Sequence, residues 1–184
     1  MQGRLKGDAP VVASHSEARF SREGAEPVGQ LSERLKELRH AFVRAGVTCE
    51  ITPDITGAMW EKFIFIASIS GVGAVTRLRV GDLRAGAESR AQLVSAIREM
   101  VAVARAYKTA LPGEIVERTL GYVDSLPGDG TSSMQRDIMD GLPSELEAQN
   151  GAVVRLGRAV GILTPTHEAI YAALLPLENR ARGL

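Results

Sequence analysis

The chain has 184 residues, of which 45% are apolar and 24% charged, so it can form one large domain, or one domain and a fragment, around a buried core. Lys+Arg and Asp+Glu number 22 each, and this balance gives no net attraction to nucleic acid or to an anionic membrane. A single cysteine, Cys49, excludes an internal disulfide, and the chain has only three dispersed histidines, so we expect no metal site.

Residues 1–52 contain short elements of mixed type. In the stretch "GRLKGDAPVVASHSEARFS", short runs of alternating apolar and polar residues are interrupted by Gly, Pro and Ser. This pattern predicts a β-hairpin. "LSERLKELRHAFVRAG" has apolar residues at helical spacing and predicts a helix that Gly46 terminates. "VTCEIT" predicts another short strand. These elements are too few for an independent sheet domain.

Residues 53–184 predict an all-α domain. Helices are expected in "TGAMWEKFIFIASISGVGAVT", "AGAESRAQLVSAIREMVAVARAYK" and "GEIVERTLGYVDSL". In "TSSMQRDIMDG", Ser132 and Gln135 have the spacing of a capping box. Two further helices are predicted, one beginning at Pro143 and ending at Gly161, the other beginning with Thr164 before Pro165.

The first residues have no apolar signal-peptide core, and no apolar stretch is judged long enough to span a bilayer. We therefore expect a cytoplasmic protein that binds neither a membrane nor nucleic acid.

The stretch "WEKFIFIASISGVGAVTR" allows two interpretations. "FIFIASIS" followed by "GVGAVT" is compatible with a strand and the Gly-rich turn of a dinucleotide-binding fold. The third glycine of that fingerprint is replaced by Thr76, however, and the following "RLRVGDLRAG" predicts neither a helix nor a βαβ unit. We interpret the stretch as a helix that is apolar nearly all round and therefore buried.

Within that helix, Lys62, Ile66 and Ser70 share one face at i, i+4 and i+8. A lysine in an apolar helix either extends its ammonium to the surface or is held in a pocket for a purpose. The residues alone leave both alternatives open.

Three segments together resemble the C-terminal domain of the ketopantoate reductase (2-dehydropantoate 2-reductase) family. They are "WEKFIFIASISGVGAVTR", "SSMQRDIMDGLPSELEAQNG" and "GILTPTHEAIY". The resemblance covers about residues 53–176. It implies a multi-helix domain of the 6-phosphogluconate-dehydrogenase-like type over 53–184, with 1–52 as a remnant of the nucleotide-binding α/β domain.

The resemblance implies NADPH-dependent reduction of a 2-oxo acid to a 2-hydroxy acid, the ketopantoate step of pantothenate biosynthesis. It assigns Lys62 as the general acid, Ser133 to substrate binding and Glu145 to cofactor binding. The alternatives are a helix cap for Ser133 and a first-turn carboxylate for Glu145. Asp137 and Glu99 are expected to be structural ion-pair or capping groups.

The sequence departs from the family pattern at three substrate-contacting asparagines. Ile66, Ser70 and Val80 stand at those positions. Ser70 can still donate one hydrogen bond, and Arg77 is a candidate partner for a substrate carboxylate, or else simply an exposed charge. These replacements predict a 2-oxo acid other than ketopantoate.

The family's G-x-G-x-x-G turn is not found in this chain, so we expect the chain alone to bind NADPH poorly and to be inactive. The alternative function is a helical protein-interaction module that keeps the fold without catalysis. Apolar surface left by the nucleotide-binding domain predicts self-association, with a homodimer as the expected form.

Overall fold

The computed structural model describes residues 11–12, 32–52 and 54–184. The chain divides into two units, Met1–Ala58 and Met59–Leu184.

The N-terminal unit contains two short strands and a helix. Strand β1 (Val11–Val12) pairs in parallel with β2 (Cys49–Glu50), with Val11 opposite Cys49. Helix α1 (Glu33–Arg44) begins at Ser32, whose hydroxyl accepts a hydrogen bond from the Leu35 amide. Gly46 follows the helix with a φ of +77°, which confirms it as the terminating residue. The turn and second strand of the predicted hairpin lie outside the described residues.

The remainder of the described chain is helical, which confirms the predicted fold class. Helix α2 crosses the boundary between the units, and the other helices belong to the C-terminal unit. The helices are α2 (Ile55–Thr76), α3 (Val80–Ala85), α4 (Ala87–Ala106), α5 (Ile115–Ser125), α6 (Ser133–Met139), α7 (Ala152–Val160) and α8 (Pro165–Arg182).

Helix α2 provides the centre of the C-terminal unit, as its apolar composition predicts. Residues 67–74 are buried without interruption, and Ile64, Ala67 and Val72 have no exposed surface. By length and composition alone α2 could cross a membrane, with a mean hydropathy of 1.3, so the expectation that no stretch is long enough was wrong. Half of the most apolar stretch of α2 is buried inside the protein, as in the core helix of a folded domain.

The segment "RLRVGDLRAG" contains α3, so the prediction that it forms no helix was wrong. The amides of Val80 and Gly81 donate to the carbonyls of Gly130 and Gly128, at 3.0 and 2.8 Å. At the other end Arg84 donates to carbonyls at the end of α5, including that of Leu126 at 2.9 Å. A six-residue helix is marginal by itself, and these contacts with distant residues stabilise it.

The helix predicted to begin at Pro143 begins later, with a π-helical turn over Glu147–Gly151 that continues into α7. Glu178 of α8 explains the delay. Its carboxylate accepts bonds from the Ser144 amide at 3.0 Å and from the Ser144 hydroxyl at 2.5 Å. Because Ser144 is held there, residues 142–144 remain outside the helix. The predicted end of α7 at Gly161 is confirmed, with a φ of +71°.

Only half of the predicted capping box at α6 forms. The Ser132 hydroxyl accepts from the Gln135 amide at 3.1 Å. The Gln135 side chain does not reach back to Ser132, and instead its Nε2 donates to the Leu78 carbonyl at 2.9 Å.

Gly157 and Gly121 offer a matched pair of substitutions for testing the packing. A Cβ at Gly157 would lie 2.8 Å from both the Ile162 carbonyl oxygen and a Thr164 methyl, whereas one at Gly121 would meet nothing within 4 Å. Gly157→Ala should lower the free energy of unfolding by about 1–3 kcal/mol. Gly121→Ala, on the exposed side of α5, should raise it by about 0.5–1 kcal/mol. Urea unfolding of both variants tests this, and equal effects would contradict the packing described.

A second prediction concerns Glu178, which is 3% exposed. Burial acts to raise its carboxyl pKa, but bonds from Ser144 and Arg182 outweigh that effect and lower it. Its stabilising contribution is therefore complete above the unfolded-state value near 4.3 and is lost as pH falls through the lower folded value. Glu178→Gln should cost about 1–3 kcal/mol at pH 7 and progressively less below pH 4. The free energies of unfolding of the unmodified protein and of Glu178→Gln, measured from pH 7 to pH 3, test this. A difference that does not change with pH would contradict the prediction.

Candidate functional site

A narrow surface of α2 carries the predicted general acid. Met59 and Lys62 are exposed and Ile66 is half-buried. In an α-helix these three residues lie within about 60° of one another around the axis. We call Met59, Lys62 and Ile66 the Lys62 strip. The face that was predicted from sequence therefore changes along its length, from exposed at Lys62 to buried at Ser70.

Lys62 extends into solvent and has no carboxylate partner among the described residues. The adjacent Glu61 forms an ion pair with Arg118 of α5, in which Oε2 of Glu61 lies 3.4 Å from a guanidinium nitrogen of Arg118. On its own helix, the neighbours of Lys62 at i−3, i+3 and i+4 are Met59, Phe65 and Ile66, all apolar. An unpaired ammonium beside apolar side chains is suited to a ligand that has one anionic or carbonyl group and a hydrocarbon part.

Helix α5 borders one side of the strip. The rings of Phe65 and Tyr122 meet edge-to-face with centroids 4.8 Å apart. The Glu61–Arg118 pair extends the same contact between α2 and α5 toward the beginning of α2. These contacts fix the rotation of α2 about its axis and so the direction in which Lys62 projects.

Helix α6 closes the far end of the same face. Gly73 lies within about 20° of Lys62 around the axis and about 16 Å further along it. The Gln135 side chain packs on Gly73, where a Cβ would lie 2.7 Å from its Oε1. Ser133, two residues before Gln135, is exposed at the start of α6, and its convergence with Lys62 stays a prediction. The hydroxyl that caps α6 is that of Ser132, so Ser133 is not the cap.

Ser70 and Arg77 occupy different environments from those that their predicted roles suggest. Ser70 is fully buried, and its hydroxyl has no hydrogen-bond partner among the described residues. Arg77 is exposed and follows α2 with a φ of 59°, while its amide donates to the Gly73 carbonyl at 2.8 Å. Arg77 thus terminates α2, and its guanidinium forms no ion pair with the other residues that the structure describes. The substrate-binding roles of both residues stay predictions.

The opposite side of α2 is held by a buried polar network. Asn150 packs against Gly71, about 180° from Lys62 around the helix. Its Nδ2 donates to the Ala67 carbonyl at 3.3 Å and to Nδ1 of His167 at 3.0 Å. His167 Nε2 donates to the Ala96 carbonyl at 3.1 Å. Since Ala96 offers only an acceptor, the Nε2–H tautomer is required. This network holds the helices together and lies away from the strip.

Glu99 has the capping role that was one of the two predicted for it, and it lies next to the network. Its two carboxylate oxygens accept the amides of Thr166 at 2.7 Å and His167 at 3.1 Å. It thereby caps the beginning of α8, where negative charge is favourable. Thr164, the residue before the helix, makes no such side-chain bond.

Sequence reasoning did not assign roles to His167 and Glu178. The sequence does indicate that both are buried. The buried face of α8 consists of residues at helical spacing, namely His167, Ile170, Leu174 and Glu178. A histidine and a glutamate on an apolar face require internal partners. Their partners are distant in sequence, so the pattern alone does not name them.

Glu145 precedes the π-helical turn, exposed to solvent. Its Oε2 accepts from the side chain of Gln149 at 2.8 Å. It does not lie in the first turn of a helix, so that alternative was wrong. A carboxylate of this kind accepts hydrogen bonds from sugar hydroxyls and repels phosphates. Within the described residues, no group of three or more His, Cys, Asp or Glu side chains is arranged to hold a metal ion.

Residues 54–178 match the family described as "Ketopantoate reductase PanE/ApbA C terminal". The chain belongs to the ketopantoate reductase family. The match covers α2 to α8 almost completely, so the strip and the buried Asn150 network both lie in this family's C-terminal domain.

Similar proteins agree with this assignment. The 2-dehydropantoate 2-reductase of Mesorhizobium japonicum is 32% identical over 166 residues, covering 90% of this chain and 50% of the relative. The enzyme of that name from Mycobacterium tuberculosis is 30% identical over 176 residues, covering 93% and 52%. This member of the ketopantoate reductase family thus spans about half the length of the curated relatives it matches.

Solved structures of ketopantoate reductases share the fold. The one from Ralstonia eutropha superposes with a TM-score of 0.74 at 29% identity, covering 82% of this chain and 50% of that one. The 2-dehydropantoate 2-reductase of Methylococcus capsulatus gives a TM-score of 0.73 at 32% identity, covering 83% and 49%.

The buried network around His167 leads to a prediction about how the protonation of this residue and the stability of the protein depend on pH. Burial lowers the imidazole pKa below 6.5, and the bond to Ala96 and the charge of Glu99 only partly offset this. A lowered folded pKa means that stability is complete above about pH 6.5 and falls as the unfolded state takes up a proton below it. Nuclear magnetic resonance should show His167 as the Nε2–H tautomer at pH 7 and titrating at a lower pH than an unperturbed histidine. Titration at or above the pH of an unperturbed histidine would contradict the network.

Proposed function

We propose that this chain is the substrate-binding half of an NADPH-dependent reductase that converts a 2-oxo acid to a 2-hydroxy acid. The observation that carries the proposal is the exposed, unpaired Lys62 on an otherwise apolar strip, at the position that the family resemblance assigns to the general acid. The 2-dehydropantoate 2-reductases that resemble this chain support the reaction class.

Lys62 would act on the keto oxygen of the substrate. Its ammonium offers three N–H donors, and one of them would polarise the carbonyl before the reaction. When hydride reaches the keto carbon, negative charge develops on that oxygen, and Lys62 Nζ donates the proton that neutralises it. Because Lys62 forms no ion pair with a carboxylate of the described residues, its donors are available to a ligand.

Ser133 and Arg77 are the proposed partners of the substrate carboxylate. Ser133 is exposed at the start of α6, the helix whose Gln135 packs on Gly73 of α2. Arg77, exposed just past α2, offers the paired N–H groups that bind a carboxylate.

Glu145 is the residue of this chain that fits the cofactor. Its exposed carboxylate suits the ribose hydroxyls or the carboxamide of NADPH and does not suit the phosphates. The cofactor, when bound, supplies the hydride. Residues 1–52 are proposed to belong to the cofactor-binding domain, and the inactivity of the isolated chain, a homodimer and a cytoplasmic location stay predictions.

Replacing Lys62 tests the proposal. In the gene product that contains this chain, Lys62→Ala should lower kcat/KM for NADPH-dependent reduction of 2-oxo acids by about 10²–10⁴-fold. Stability should change little, because the side chain is exposed and unpaired. The readouts are NADPH oxidation and thermal unfolding.

Lys36→Ala is the matched control, since Lys36 is an exposed helical lysine whose only described ion pair is with Glu33 on the surface. It should leave turnover unchanged. If no 2-oxo acid is reduced, or if loss of Lys62 has no more effect than loss of Lys36, the proposed reaction is refuted. The non-catalytic interaction module would then be the remaining function.

A further inference from the structure

We infer that Gln149 is a positioning residue, whose side-chain amide fixes the orientation of the Glu145 carboxylate for cofactor binding. This inference rests on the proposed function, in which Glu145 meets neutral hydrogen-bond donors of NADPH. Gln149 acts through Glu145 and does not need to touch the cofactor itself.

The backbone of Glu145 is held on both sides. Ser144 before it donates from its main-chain amide and its hydroxyl to the buried carboxylate of Glu178, at 3.0 and 2.5 Å. Leu146 after it has no exposed surface, and its main-chain amide donates to the Ser144 hydroxyl oxygen at 3.2 Å. The Glu145 carbonyl accepts from the main-chain amide of Gln149 at 2.9 Å. The position of the Glu145 backbone is therefore set by buried contacts.

The Gln149 side chain extends this order to the Glu145 carboxylate. Its Nε2 donates to Oε2 of Glu145 at 2.8 Å, although Glu145 itself is exposed. A surface glutamate ordinarily samples several rotamers and loses that freedom when it binds a ligand. Because Gln149 already holds one carboxylate oxygen, Glu145 loses less freedom on binding, and its Oε1 can accept a hydrogen bond from a ligand hydroxyl or amide group.

The burial of Gln149 distinguishes this contact from an ordinary surface pair. Polar side chains four residues apart on an exposed helix face interact only weakly. Gln149 is 7% exposed, and its Oε1 is buried without a hydrogen-bond partner among the described residues. A buried acceptor without a partner destabilises the fold. An apolar residue of the same size would avoid that penalty, so the stability of the fold does not account for a glutamine at this position.

Gln149→Met tests the inference, because methionine has nearly the same length and no N–H donor. In the gene product that contains this chain, it should raise Kd and KM for NADPH by about 2- to 10-fold, which corresponds to ordering a free glutamate side chain on binding. The value of kcat should change by less than about twofold. The thermal midpoint should stay the same or rise, because the unpartnered Oε1 is removed. The readouts are NADPH fluorescence on binding, steady-state kinetics and thermal unfolding.

Gln135→Met is the matched control. Gln135 is also a buried glutamine, 3% exposed, but its Nε2 donates to the main-chain carbonyl of Leu78 at 2.9 Å. Its replacement should lower the thermal midpoint by about 1–3 °C and leave Kd for NADPH unchanged. The two substitutions are therefore expected to have opposite patterns of effect on stability and on cofactor binding.

A double-mutant cycle with Glu145→Ala separates positioning from a general structural effect. Glu145→Ala should raise Kd for NADPH by about 10- to 100-fold, as for the loss of a hydrogen bond to a charged group. In the Glu145→Ala background, Gln149→Met should change Kd by less than about twofold, because the carboxylate on which Gln149 acts is gone. A full effect of Gln149→Met in that background overturns the inference.

The other outcomes distinguish the inference from the proposed function. If 2-oxo acids are reduced and Gln149→Met raises Kd for NADPH no more than Gln135→Met does, Gln149 has no positioning role and the reductase remains. If Glu145→Ala leaves Kd unchanged, the cofactor-binding role of Glu145 and the inference fail together. If no 2-oxo acid is reduced, the proposed function is refuted and the inference with it. Should Gln149→Met not fold, Gln149→Leu replaces it in each measurement.

Discussion

The side-chain amide of Asn150 occupies the space beside Gly71 that a Cβ atom would need, and from there it joins several parts of the helical unit. Its two N–H groups satisfy the Ala67 carbonyl of α2 and the His167 ring of α8, and that ring in turn reaches the Ala96 carbonyl of α4. Each of these groups is buried, and a buried polar group left without a partner is costly. The network therefore permits one arrangement of α2, α4 and α8 and penalises others.

This arrangement leaves the Lys62 strip of α2 open to solvent. Asn150 meets the helix about 180° from Lys62, so contacts that stabilise the domain and groups that would meet a substrate do not compete for the same surface. Helix α5 borders the exposed side through Tyr122, and α6 closes it at Gly73. A Cβ at Gly71 would overlap the side chain of Asn150 and would displace the amide that joins α2 to α8.

Most of the helices could be predicted from local pattern, because each carries an apolar face at helical spacing and ends at a suitable residue. Gly46 and Gly161 terminate their helices through positive φ angles, as the sequence predicts. The errors occurred where contacts between distant residues decide the structure. Helix α3 depends on carbonyls of the loop at Gly128 and Gly130, and the delayed beginning of α7 depends on Glu178. Neither contact is visible within a window of neighbouring residues.

The sequence by itself determined the family, the all-α character of the C-terminal unit and the face of α2 that carries Lys62, since these follow from residue order and helical periodicity. Only the tertiary structure decided which part of that face a ligand can reach. Lys62 and Ile66 are open while Ser70 is closed, because the packing of other helices against α2 covers the far end of the face. Periodicity assigns a direction to each side chain, but exposure depends on what packs in that direction, and those partners come from distant parts of the chain.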